Sequence, residues 1–272
     1  MHITFKTDQP PFVFRAGHQP LLISIPHSGT HVPPDLVARL TPEARQVPDT
    51  DWHLGKLYDF AEAIGASVLL ATHSRYVIDL NRPPDGASLY PGQSVTGLCP
   101  VDTFDDTPIY AAGDVPDEAE IAARRETIWR PYHEQLASEL KRLQQVHGRV
   151  VLWDAHSIRS VVPRFFDGKL PDLNLGTANG ASCDPALADV LFGIAQQSAV
   201  HTSVLNGRFK GGHITRHYGN PTQGVHAVQL EMTQCSYMQE ALPFDYLPDV
   251  AANVQPTLRR MVEAALAFAQ RG

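Results

Sequence analysis

Apolar residues fall along this chain in two alternating patterns: short unbroken runs, and longer stretches repeating at three- and four-residue spacing. The runs Leu21-Leu22-Ile23-Ser24-Ile25 and Val150-Val151-Leu152-Trp153, rich in β-branched residues and followed by small or turn-forming ones, predict buried strands. Ala66 to Ala71, Tyr76 to Leu80 and Val225 to Met232 predict three more. Helical spacing runs through Trp52 to Ile64, where Leu54, Leu57, Phe60, Ala61 and Ile64 share a face. It recurs through Asp117 to His147, with acids early, bases late and Gly148 at the C-terminal cap. Pro185 to Gln197 and Pro256 to Gln270 predict two further helices. Strands alternating with helices, with no repeat or linker between them, predict one α/β domain over residues 1–272. The segment 83–116, rich in Pro, Gly, Asp and Thr, is too long for a simple connection and is expected to be a functional loop or lid.

Composition narrows the class without fixing a chemistry. With 272 residues, 43% hydrophobic and 19% charged, the chain can bury a substantial core. A formal net charge of -7 offers no basic stripe for nucleic acid or an anionic membrane surface, which leaves a small molecule as the expected substrate. The three cysteines, Cys99, Cys183 and Cys235, fit neither a disulfide framework nor a cysteine-rich zinc site. The opening residues Met1 to Lys6 lack an apolar signal core, and no apolar stretch is long enough to span a bilayer, so a reduced cytoplasmic setting is expected.

The strand predictions place two histidines, in Pro26-His27-Ser28-Gly29 and Asp154-Ala155-His156-Ser157, just past the carboxyl ends of strands, where open α/β sheets keep their sites. One such histidine is more often a structural hydrogen-bonding residue than a ligand. Two of them, each with small neighbours, together with an acid, could hold a divalent ion with a position open for water. Asp154 could orient a ligand from outside. Asp49-Thr50-Asp51-Trp52 precedes a predicted helix, so one aspartate can be its N-cap and the other is spare; Asp51 is the better ligand candidate and Asp49 the fallback. In Ser74-Arg75-Tyr76-Val77-Ile78-Asp79-Leu80-Asn81-Arg82, alternation would send Arg75 and Asp79 to one face and leave Asn81-Arg82 at the strand end. Arginines so placed are either surface ion pairs or partners for a substrate carboxylate. Asn206 to His217, with Arg208 and Arg216, is a second basic, glycine-rich loop suited to an anion. Glu231, closing the run Ala227 to Met232, is either a structural acid paired with an arginine or a general base with a raised pKa.

In order and spacing these five motifs, the last being Gln229-Leu230-Glu231-Met232, resemble the N-formylglutamate deformylase (N-formylglutamate amidohydrolase) family, over nearly the whole chain. The resemblance implies a zinc-dependent hydrolase releasing formate and L-glutamate from N-formyl-L-glutamate, the last step of one bacterial route of histidine breakdown. It also implies a three-layer α/β/α fold with a central mixed sheet, akin to that of the zinc carboxypeptidases and aspartoacylases. Those wider relatives take a second ligand three residues after the first histidine, where this chain has Thr30, and this is the reason for turning to Asp51. The expected site then has His27, Asp51 and His156 on one zinc ion, Glu231 as base, Arg75 on the developing oxyanion, and Asn81, Arg82, Arg208 and Arg216 around the substrate. Three alternatives stay open here: an amidohydrolase for another N-acyl or N-formimino amino acid, a cysteine hydrolase using Cys235, and a non-catalytic carboxylate-binding protein.

Overall fold

A computed structural model describes residues 5–88, 92 and 94–271. Seven strands form one mixed sheet in the order β1-β3-β2-β4-β7-β5-β6. They are β1 (Phe12–Arg15), β2 (Leu21–Ile25), β3 (Ser67–Ala71), β4 (Val150–Ile158), β5 (Leu173–Gly176), β6 (Ser203–Leu205) and β7 (Val225–Thr233). Strands β3, β2, β4 and β7 run parallel, β1 and β5 join antiparallel to β3 and β7, and β6 runs parallel to β5. The helices are α1 (Pro34–Val37), α2 (Leu54–Leu57), α3 (Glu118–Arg124), α4 (Arg130–His147), α5 (Pro185–Gln196), α6 (His213–Tyr218) and α7 (Pro248–Gln270). Among the described residues no helix is long and apolar enough to cross a membrane.

The apolar runs are unbroken because both faces of the sheet are covered. Leu21, Ile23, Val151, Trp153, Val228 and Leu230 pack with Leu187 and Leu191 of α5 and Val254, Leu258 and Met261 of α7. Leu22, Val150, Leu152 and Ala227 pack on the other side with Tyr132, Leu136, Leu140 and Leu143 of α4 and Ile214 of α6. This gives the expected three layers. From β2 the chain steps to β3 on one side and then crosses back to β4 on the other. The carboxyl ends of β2 and β4 therefore flank the point where strand order reverses, the position at which open α/β sheets bind ligands.

Several elements differ from expectation. Tyr76 to Leu80 is not a strand: it is buried, but it turns, with Val77 N–H donating to Ser74 O at 2.9 Å and Asp79 N–H to Leu98 O at 2.7 Å. Its apolar pattern reflects burial against Ile109 and Tyr110 rather than pairing, an ambiguity that short apolar runs carry. Trp52 to Ile64 holds only α2 and a 3-10 turn at Asp59–Ala61, and neither Asp49 nor Asp51 caps α2, whose N-cap is His53. A π-helical turn, Arg125–Trp129, joins α3 to α4 within the predicted Asp117 to His147 helix. Helix α7 begins at Pro248 and carries Pro256 internally. Strands β1, β5 and β6 are short, three or four residues each, and carry too little periodicity to be found from the sequence. The described residues of 83–116 form neither helix nor strand; Leu89, Tyr90, Pro91 and Gln93 of the predicted loop lie outside the described residues.

Candidate metal and substrate site

Strand parity places the chemistry. Residues 150, 152, 154 and 156 of β4 share one face, as do 227, 229 and 231 of β7, and the register sets Asp154 beside Gln229 and His156 beside Glu231. His156 and Glu231 thus lie within their strands, near the carboxyl ends, rather than beyond them. His27 follows β2 by two residues, and Asp51 N–H donates to His27 O at 3.0 Å, which ties the Asp49 to Trp52 turn to the same edge.

Nδ1 of His27, Nδ1 of His156 and a carboxylate oxygen of Asp51 converge there, all within 4.8 Å of one another and all buried. Asp51 Oδ2 lies 3.8 Å from His27 Nδ1 and 3.3 Å from His156 Nδ1. Each imidazole turns its other nitrogen to a carboxylate: His27 Nε2 to Asp79 Oδ1 at 2.7 Å and His156 Nε2 to Asp154 Oδ1 at 2.9 Å. That arrangement selects the tautomer with a free Nδ1 lone pair and holds the ring in place, as carboxylates behind metal-binding histidines do. Asp51 Oδ2 also accepts from Ser157 N–H at 3.0 Å, and Oδ1 is buried with no hydrogen bond, its nearest charge being Arg75 Nη1 at 3.6 Å. Two nitrogen donors and a buried carboxylate with one oxygen free of hydrogen bonds fit a divalent ion. Burial, then the nearby Arg75 charge, lowers the pKa of His27, which favours the neutral ligand form. His156 differs: burial opposes its charge, but Asp154 and Asp51 outweigh it and raise its pKa well above the usual value. A divalent ion at Nδ1 would compete with the proton that this shift favours. Asp49 stands apart, because its Oδ2 accepts from Tyr76 O–H at 2.6 Å and Phe104 N–H at 2.8 Å.

Asp79, to which the sequence assigned no role, joins the two halves of the site. Besides His27, its carboxylate accepts from Arg75 Nη2 at 2.8 Å and from Asn81 N–H at 2.8 Å, with Arg82 Nη1 at 3.8 Å. Burial disfavours its charge, but Arg82, His27 and Arg75 together hold it well below the usual carboxylate range. Arg75 and Asp79 therefore meet as neighbours four residues apart on a turn, not by strand alternation. Asn81 is also structural: its Nδ2 lies 3.0 Å from His156 Nε2 and its Oδ1 accepts from Ile214 N–H at 2.8 Å. A side chain at Gly212 would collide with that amide. Glu231 is buried, and its nearest donor, Gln229 Nε2, lies 3.3 Å from Oε2. Burial, incompletely offset by the His156 charge, pushes its carboxyl up to about 8.

A cleft opens over this edge, and its lining includes His27, His156 and Glu231 with Arg75, Arg82, Arg208, Phe104, Phe165 and Val95. Ser94 and Val95 bring the long loop into it. Arg216 is not among the lining residues: it sits on α6, where its Nε donates to Gly211 O at 2.8 Å. Cys235 is not among them either, and its thiol lies 3.5 Å from Thr233 Oγ1. Gln229 could have been found from the sequence, since it is two residues from Glu231 on one strand face. Nothing local marks Phe104 or Phe165 as walls.

Comparison with known proteins identifies the family of this chain. A model of the N-formylglutamate amidohydrolase family matches residues 19–238. A protein described as N-formylglutamate deformylase from Pseudomonas putida is 52% identical over 255 residues, spanning 94% of this chain and 95% of that protein. One with the same description from Pseudomonas aeruginosa is 53% identical over 255 residues, spanning 94% of this chain and 96% of its own length. Among solved structures, N-formylglutamate amidohydrolase from Ralstonia eutropha JMP134 is similar with a TM-score of 0.83 and 25% identity, over 97% of this chain and 100% of that one.

Proposed function

Because the chain belongs to the N-formylglutamate amidohydrolase family, we propose that it hydrolyses the formyl amide of N-formyl-L-glutamate to formate and L-glutamate, with a divalent ion, zinc first among them, held by His27, Asp51 and His156. The observation that carries this reading is the convergence of those three donors, with His156 beside Glu231, in an arginine-lined cleft. When bound, the ion supplies Lewis acidity for the amide carbonyl and makes water a better nucleophile. Glu231 takes the proton of the attacking water and returns it to the departing amine. A buried, under-bonded carboxylate suits both steps, since its raised pKa makes it a stronger base when ionised and a competent acid afterwards. Arg75 faces the oxygen that gains charge in the transition state. Two acids, Asp79 and Asp51, hold its guanidinium in place, and it lies over the Phe104 ring at 4.8 Å. Arg82 and Arg208 receive the two carboxylates of the substrate.

The test is formate release from N-formyl-L-glutamate by the purified protein, before and after dialysis against a chelator, with metal analysis of both samples. Activity lost with the metal and restored by adding it back supports the reading; full activity without metal overturns the ion's role, and no formate overturns the hydrolase. The arginines should separate kinetically. Arg75→Ala should mainly lower kcat, because its interaction strengthens as charge develops, whereas Arg82→Ala should mainly raise KM by removing binding common to ground and transition states. Equal effects on both constants in both variants would dissolve the distinction.

A further inference from the structure

Strand β7 ends at Thr233, and the chain continues as Gln234-Cys235-Ser236-Tyr237, a 3-10 turn over Gln234–Ser236 with Tyr237 N–H donating to Gln234 O at 3.0 Å. The side chains of Gln234 and Tyr237 are buried, and their donors go to the turn that carries Asp51. Gln234 Nε2 donates to Thr50 O at 2.9 Å, and the Tyr237 hydroxyl donates to Trp52 O at 3.0 Å. The carbonyls on both sides of Asp51 are therefore held from the end of β7. The same hydroxyl lies 2.6 Å from Ser157 Oγ, and Ser157 N–H donates to Asp51 Oδ2 at 3.0 Å. One phenol thus joins the residues that follow two of the three candidate ligands, Asp51 and His156.

The turn between His27 and the histidine of β4 is one that has to be held. It is bounded by two residues with positive φ, Val47 at 43° and His53 at 61°, and neither is a glycine. That region is costly for a β-branched side chain such as valine, and a backbone kept there persists only where its surroundings over-determine it. We propose that Tyr237, assisted by Gln234, is the positioning residue for Asp51: the two side chains fix the ligand turn from both sides and set its carboxylate against His27 and His156. This rests on the metal-dependent reading above. Neither side chain belongs to the ligand group or lines the cleft, so both act through the carbonyls of Thr50 and Trp52 and through Ser157. Groups behind a metal ligand orient it and so tune the affinity of the site. Because the clamp extends from the strand that carries Glu231, it also ties the position of the ligand to that of the base.

The test measures zinc affinity by competition with a chelator, and the visible spectrum of the cobalt(II)-loaded protein, in the wild type, Tyr237→Phe, Gln234→Leu and Tyr132→Phe. The last removes a hydroxyl that is equally buried, 2.9 Å from Ser24 Oγ in the layer on the other side of the sheet, and so costs a hydrogen bond without reaching the Asp51 turn. Tyr237→Phe should bind zinc roughly tenfold more weakly, the worth of one hydrogen bond that keeps a ligand in place, and Gln234→Leu should weaken binding in the same direction. The cobalt bands should shift in both, because a displaced carboxylate changes the geometry around the ion. Tyr132→Phe should lower thermal stability yet keep the wild-type affinity and bands. Gln234→Leu, which leaves the phenol in place, decides the matter if Tyr237→Phe folds poorly. Wild-type affinity and bands in folded Tyr237→Phe overturn the assignment, and so does an equal loss in Tyr132→Phe, which would make the effect one of stability alone. A wild type that binds neither zinc nor cobalt overturns the metal site itself.

Discussion

Glu231→Gln lowers kcat by roughly two to four orders of magnitude, the usual range for loss of a general base, and leaves bound metal unchanged. The substitution preserves shape and the contact with Gln229 Nε2 at 3.3 Å, so β7 and its register with β4 are not disturbed. What disappears is a site for the proton. The wild-type pH profile should carry the same signature. A carboxyl raised to about 8 by burial is protonated and idle as a base at lower pH, so kcat/KM rises with pH through its pKa and then levels. A divalent ion at His27 and His156 favours the ionised form, so in the loaded enzyme that rise falls below 8. In Glu231→Gln the rising limb should vanish. Metal loss alongside activity would make Glu231 a ligand instead, and activity within a few fold of wild type would place the base elsewhere.

His156→Ala gives a folded protein with little bound metal and activity near background. Perturbing a residue behind a ligand already costs about 10–100-fold in metal affinity, and here one of three ligands is removed. The fold should survive because the exposed consequences are local: Asp154 keeps the Thr215 hydroxyl at 3.0 Å on its other oxygen, and Asn81 keeps Ile214 N–H. Metal analysis after exposure to a weak chelator, with circular dichroism as the check on folding, measures this directly. Full occupancy in the variant would remove His156 from the ligand set, and metal that is lost only with the fold would leave ligation unsupported.

How much of this site could be read from the chain depends on the range of each interaction. The alternation along β4 and β7 is a local property, and it alone puts Asp154 on the same face of its strand as His156, and Gln229 on the same face of its strand as Glu231. That both strands are buried is equally legible in their unbroken apolar runs. The two histidine candidates needed no more than strand ends, and the structure brings them together with Asp51, although neither Asp49 nor Asp51 is the helix cap that made the other spare. Register between β4 and β7, which sets His156 beside Glu231, is another matter, because it depends on how the helices pack over both faces.

The choice between Asp49 and Asp51 shows the limit well. Two residues apart in one turn, they have the same local chemistry; only the folded chain gives Asp49 to Tyr76 and Phe104 and turns Asp51 toward the histidines. Asp79 lies in a stretch whose apolar pattern imitates a strand, so its turn, its contact with His27 across 52 residues of chain and its hold on Arg75 could not be foreseen. Arg208 and Arg216 looked equivalent in one basic loop, yet only Arg208 reaches the cleft, because α6 begins between them and carries Arg216 onto its own surface. Period and composition act over a few residues, and they determined β2, β3, β4 and β7, their buried faces and the residue types at the sheet edge. Which side chains meet was decided by contacts between segments far apart in sequence, made only when the sheet closes under its two layers of helices.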